Sequence, residues 1–225
     1  MGRPYRLVVF DWEGTLGDTL GQILDTVAIE ARRLNFGEID EELARQSVEL
    51  GLVKAVRKVF PRLSLQQQEQ LLLAVHQSLV SRTTHVYLIP GAKEIARQLH
   101  QAGINLAIAT NKGHQSLQRV LHSSGLDEFF KVTRSAGQTP PKPCPQMLEE
   151  ILAEFDVGIR ETLMVGDSVT DIEMAKNLGV DAVGVDFYHQ QDAALRAAGA
   201  MEVFDDYQRF AAYLQLPEEK GDFSE

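Results

Sequence analysis

The segment RLVVFDWEGT, residues 6–15, decides how this chain is read. Its first half, RLVVF, is a short apolar run and predicts a strand buried on both faces. Its second half sets Asp11, Glu13, Gly14 and Thr15 directly at the end of that strand. Two later stretches repeat the arrangement. INLAIA, 104–109, reads as a strand and is followed by Thr110 and Asn111. TLMV, 162–165, reads as another and is followed by Gly166, Asp167 and, one helical turn on, Asp171.

Helical patterns separate these runs. From residue 92 onward the pattern predicts helices over 92–101, 115–124, 146–155, 169–178 and 192–198, with glycines past the ends of the second and fourth. Strands are predicted over 129–133 and 182–185 as well. Strands alternating with helices of this length imply βαβ units and a parallel sheet covered on both faces. The expected fold is α/β, a Rossmann-like parallel sheet core.

Residues 17–86 break that alternation. Ile23, Leu24, Val27, Ala28, Ala31 and Leu34 recur at helical spacing after a candidate cap at Asp18 or Thr19. A second helical pattern covers 40–60, interrupted at Gly51, and a third follows Pro61. No strand-like alternation occurs here. The chain therefore reads as an α/β core of residues 1–16 and 87–225 with an α-helical cap, 17–86, inserted after the first strand. The last residues, PEEKGDFSE, read as a charged tail.

In open parallel sheets ligands bind beyond the carboxyl ends of the strands. The predicted winding brings Asp11, Glu13, Thr110, Asn111, Asp167 and Asp171 to one edge. The loop TPPKPCP adds Lys142. About four carboxylates in one crevice raise each other's pKa unless a cation neutralises them. Hard oxygen donors without His or Cys suit Mg²⁺, which commonly accompanies phosphate oxygens. Such a site can transfer phosphoryl groups. Asp11 would attack phosphorus and Glu13 would protonate the leaving oxygen and then activate water. Thr110 and Lys142 would hold and neutralise the phosphoryl oxygens. Each residue also has a plainer reading: Asp167 as a helix cap, Asp171 as a first-turn acid, Lys142 as a solvated loop lysine.

Taken together, Asp11-Trp12-Glu13-Gly14-Thr15-Leu16, Thr110-Asn111, Lys142 and Gly166-Asp167 with Asp171 resemble the four motifs of the haloacid dehalogenase superfamily. The helical insertion is similar to the small cap of its phosphoglycolate-phosphatase and phosphoglucomutase branch. The resemblance implies Asp11 as nucleophile, and Thr110, Asn111 and Lys142 as phosphate-binding positions. It implies Mg²⁺ on the Asp11 carboxylate, the Glu13 backbone carbonyl and Asp167, with Asp171 assisting. The implied activity is hydrolysis of a small phosphomonoester through an aspartyl-phosphate, with 2-phosphoglycolate the first substrate to test. The family's phosphatases usually carry aspartate where this chain has Glu13. The longer side chain moves the carboxyl by about 1.5 Å, which bears on its acid/base role and not on a backbone ligand. Two alternatives stay open: a phosphomutase on the same fold, and a weakly active or non-catalytic binder of phosphorylated ligands.

Composition sets the outer limits. The net charge of −10 argues against a nucleic-acid footprint, so the expected partner is a small phosphorylated metabolite. No apolar run approaches the ~20 residues that span a bilayer, and the N-terminus lacks the form of a secretory signal. The single cysteine, Cys144, suits a reducing cytoplasm. Residues 17–86 hold nine acids and eight bases, so most of the negative charge lies in residues 87–225. A basic run, Lys54, Arg57, Lys58 and Arg62, reads either as a solvated helix face or as a positive patch for a second anionic group.

Overall fold

The structure, a computed structural model, describes residues 5–45, 47, 52–81 and 86–217. It divides into two compact units, 18–87 and the remainder of the chain.

The first strand, β1 (Leu7–Phe10), is buried along its whole length. The helical unit follows it: α1 (Thr19–Arg33), α2 (Glu41–Arg45), α3 (Leu52–Val59) and α4 (Leu65–Ser81). Asp18 caps α1 by accepting the Gly21 N–H at 2.8 Å. Val27, Ala31, Val56, Phe60, Leu71 and Val75 form this unit's core. The pattern expected over 40–60 is thus two helices, with Gly51 outside the described residues.

The chain then alternates through α5 (Ala92–Gln101), β2 (Asn105–Gly113), α6 (His114–Ser124), β3 (Val132–Ala136) and α7 (Gln146–Phe155). It continues through β4 (Thr162–Gly166), α8 (Val169–Leu178), β5 (Asp181–Val185), α9 (Asp192–Ala198), β6 (Val203–Phe204) and α10 (Tyr207–Tyr213). The six strands make one parallel sheet in the order β3-β2-β1-β4-β5-β6. β1 lies in the middle, with Leu7 paired to Asn105 on one side and Thr162 on the other.

Both faces of the sheet are covered, as a parallel sheet requires. Leu7 and Val9 pack with Met147, Ile151 and Ile172 from α7 and α8. Phe10, on the opposite face, meets Phe130 and Phe210 edge-on. This is the Rossmann-like α/β arrangement that the alternating pattern predicts.

The strand order reverses between β1 and β4. At such a point the loops leaving two adjacent strands diverge and open a crevice. The Asp11 N–H donates to the Val165 carbonyl at 2.9 Å, tying the end of β1 to the end of β4. What β1 and β4 carry past their last residues therefore stands side by side.

Differences from the sequence reading are local. β3 starts three residues later than expected. Phe129 and Phe130 are held in a turn by N–H bonds to the Leu126 carbonyl. β2 runs on through Gly113, because β3 continues to pair with it. The short β6 and the helix α10 were not expected. The tail beyond Pro217 lies outside the described residues.

Candidate active site

The turn after β1 is built around Trp12, whose carbonyl accepts the Leu16 and Gly17 N–H groups at 2.9 and 2.8 Å. Its ring is buried and lies against Gly17, where a Cβ would fall 2.4 Å from the indole nitrogen. Trp12 is therefore packing, as its apolar bulk suggests. Gly14 has φ +68°, and a Cβ there would lie 2.0 Å from Asp167 Oδ2. Only glycine lets this turn press against the carboxylate.

Asp11, Asp167 and Asp171 converge, with one oxygen of each within 4.8 Å of the others. Asp167 stands at the end of β4, and the Thr15 hydroxyl donates to its Oδ1 at 3.4 Å. Asp171 sits in the first turn of α8, fully buried. Its two oxygens do different work. Oδ2 accepts the Ser168 N–H and hydroxyl at 3.1 and 2.6 Å, so it caps the helix. Oδ1 accepts from Lys142 Nζ at 2.5 Å. Asp171 thus lies in the first turn of α8, as its first-turn reading expects, and also faces Lys142. The cap of α8 is Ser168, not Asp167.

Lys142 is buried between two carboxylates, Asp171 and Asp11, with Nζ 2.7 Å from Asp11 Oδ1. Burial alone would lower its pKa, but the Asp11 and Asp171 charges outweigh that and hold it above the usual lysine value. Its own N–H donates to Asn111 Oδ1 at 2.9 Å. Asn111 therefore anchors the Lys142 loop to the end of β2. Thr110 is buried beside it, and its Oγ1 accepts the Lys112 N–H at 3.3 Å.

One lysine does not balance three carboxylates. Burial, and then the Asp11 and Asp171 charges, push Asp167 up to about 8. Burial and Asp11 push Asp171 up to about 6 against the pull of Lys142. Asp11 Oδ1 is buried and faces the Lys142 ammonium at 2.7 Å. Oxygen-only donors and excess negative charge both fit a hard divalent cation.

Glu13 departs from this cluster. Its carboxylate takes a hydrogen bond from Lys112 Nζ at 2.5 Å, across the end of β2. Lys112 is one of two neighbours that the sequence reading passed over. The other is Tyr207 of α10, whose buried hydroxyl donates to the Thr15 carbonyl at 2.6 Å. Lys112 had a signal, since it follows Thr110 and Asn111 directly at a strand end. Tyr207 had none. The basic run Lys54, Arg57, Lys58 and Arg62 is exposed in the helical unit.

Residues 8–185 match the haloacid dehalogenase-like hydrolase family. The chain belongs to that family and is an enzyme of its phosphatase class. Among its relatives, the phosphoglycolate phosphatase of Rhodospirillum rubrum is 27% identical, over 96% of this chain and 94% of the relative. That of Vibrio cholerae is 30% identical, over 91% and 94% respectively. That of Mesorhizobium japonicum is 33% identical, over 83% and 84%. A hydrolase of the same family from Deinococcus radiodurans, solved with bound phosphate and sodium, superposes with a TM-score of 0.68. It is 21% identical, over 96% of this chain and all of that one, and so speaks for the fold. Among the described residues no helix is long and apolar enough to cross a membrane.

Proposed function

We propose that this protein is a Mg²⁺-dependent phosphatase that hydrolyses a small phosphomonoester through an aspartyl-phosphate, with 2-phosphoglycolate as its substrate. The observation that carries the reading is the convergence of Asp11, Asp167 and Asp171 with Lys142 at the strand-order reversal. The names of the relatives support the substrate. Asp11, Asp167 and Asp171, with the Glu13 backbone carbonyl, would hold Mg²⁺. The ion would neutralise phosphoryl oxygens and orient the substrate.

Asp11 Oδ attacks phosphorus and the bond to the leaving oxygen breaks, giving the Asp11 acyl phosphate. Glu13 delivers a proton to the leaving oxygen, so a neutral alcohol departs. Water then attacks phosphorus, Glu13 takes its proton, and Asp11 is released with inorganic phosphate. Lys142 balances the charge that spreads over the phosphoryl oxygens. The Thr110 hydroxyl donates to one of them, and Asn111 keeps Lys142 in place. We assign the helical unit the cap role that the family resemblance implies. A cytoplasmic setting accompanies this reading, resting on the single cysteine. Nothing among the described residues favours the mutase or the non-catalytic alternative.

A phosphate-release screen over small phosphoesters, with Mg²⁺ or with EDTA, tests the proposal. Release should require Mg²⁺, be fastest with 2-phosphoglycolate and vanish in Asp11→Asn. Equal release by wild type and Asp11→Asn would overturn it.

A further inference from the structure

The Lys112–Glu13 pair adds little to the stability of the fold. Its side chains are 19% and 38% exposed, and ion pairs that open to solvent contribute little to stability. Yet it is short, at 2.5 Å, and joins residues 99 apart in sequence. It also sits where the proposed chemistry needs a carboxyl. Glutamate has one more rotatable bond than aspartate, so at position 13 it needs a second anchor to be held in a productive place. Lys112 has what an anchor requires. It belongs to β2, a strand fixed between β1 and β3. Its N–H is bonded to Thr110 Oγ1 at 3.3 Å, so its backbone is tied to a phosphate-binding position.

We propose that Lys112 is a positioning residue, whose ammonium holds the Glu13 carboxylate where it exchanges protons with the leaving oxygen and with the attacking water. The inference rests on the phosphatase reading and extends it to a residue outside the metal and phosphate contacts. It accounts for a glutamate at this site: glutamate and Lys112 act as one unit, in which the lysine fixes the extra rotatable bond.

Kinetics on the full chain with Mg²⁺ and p-nitrophenyl phosphate test this. p-Nitrophenolate leaves without a proton, so formation of the phosphoenzyme needs no acid with this substrate. Its hydrolysis still needs Glu13 as base. In Lys112→Met, kcat should fall about 30- to 100-fold, the scale of a misplaced general base, and KM should fall with it, leaving kcat/KM within about threefold of wild type, because only hydrolysis of the phosphoenzyme is slowed. A burst of p-nitrophenol approaching one per enzyme should appear as phosphoenzyme accumulates. Glu13→Gln should show the same burst, and the double variant should be no slower than Glu13→Gln within about threefold, because residues acting as a unit are not additive. Lys112→Arg should recover most of kcat.

Three results would overturn the inference. One is a rise in KM with kcat unchanged, which marks a substrate contact. Another is multiplication of the two losses in the double variant. The third is a slow Lys112→Met without a burst, which marks general damage. Asp11→Asn run alongside separates the two levels. If it is inactive while Lys112→Met is unaffected, only this inference falls. If it retains activity, the phosphatase reading falls first.

Discussion

Replacing Asp167 by asparagine should stabilise the metal-free protein while removing its response to Mg²⁺. Asp167 is raised from 3.8 to about 8, by burial first and then by the Asp11 and Asp171 charges. A carboxyl raised in this way holds its proton more tightly in the folded chain than in the unfolded one. Below 3.8 both states are protonated and ionisation costs the fold nothing. Between 3.8 and about 8 the unfolded state ionises and the folded state does not, so stability falls as pH rises. Above about 8 both are ionised and the whole penalty is present. The span is about four pH steps at about 1.4 kcal/mol each, on the order of 5 kcal/mol. Relaxation and water entry reduce such penalties, so a gain of about 2–3 kcal/mol is expected for Asp167→Asn at about pH 9. In a chain of this size that raises Tm by about 5–10 °C. At about pH 4, where the folded Asp167 is neutral, the two proteins should melt within about 2 °C of each other. Mg²⁺ should reverse the order, since ligand binding to the folded state stabilises only the protein that binds it. Thermal melts of both proteins in EDTA and in saturating Mg²⁺ at the two pH values give the answer. An Asp167→Asn variant no more stable than wild type in EDTA at about pH 9 would refute the reasoning. So would a gain of the same size at about pH 4.

The remaining predictions concern the scaffold of the site. A Cβ on Gly166 would stand 2.3 Å from Asp171 Cγ, so Gly166→Ala must push Asp171 off Lys142. It should lower kcat by about 10²-fold, and wild-type turnover would contradict the placement of Asp171. Lys142→Met leaves Asp11 and Asp171 buried without their shared cation. In EDTA it should lose about 3–5 kcal/mol in urea denaturation, with part recovered on adding Mg²⁺, and an unchanged midpoint would count against the ion pair. Tyr207→Phe strands the Thr15 carbonyl, which Tyr207 Oη–H reaches at 2.6 Å in a buried setting. A loss of about 1–3 kcal/mol is expected from urea denaturation, and no loss would mean that water replaces the hydroxyl freely.

Much of the site was legible because it is written locally. A strand buried on both faces shows as an apolar run, and in this topology the residue after each run is delivered to one edge. Asp11, Thr110 and Asp167 could be named on that ground; the structure sets Asp11 and Asp167 just past the ends of β1 and β4, while Thr110 stays within β2, which runs on to Gly113. The capping pattern of Ser168 and Asp171 is equally local, being a contact within one helical turn. Asp206 also caps its helix locally, accepting the Arg209 N–H at 2.7 Å, so α10 had a signal that periodicity in a seven-residue helix was too brief to support. The start of β3 was misplaced because aromatic residues suit strands, while Phe129 and Phe130 are committed to a turn by the Leu126 carbonyl.

The sequence by itself determined the class of fold, the strand-end residues and the chemistry their types allow. These follow from periodicity and from side-chain composition, which need no knowledge of distant partners. Only the tertiary structure decided how the charges pair. That Lys142 divides itself between Asp11 and Asp171, that Lys112 takes the Glu13 carboxylate, and that Tyr207 holds the Thr15 carbonyl are contacts across 29 to 192 residues of chain. Such pairings depend on distances of a few ångströms between elements, because Coulomb and hydrogen-bond energies fall off over that range while sequence separation carries no record of it. The excess negative charge at Asp167 is likewise a product of burial, which exists only once the sheet has closed around it.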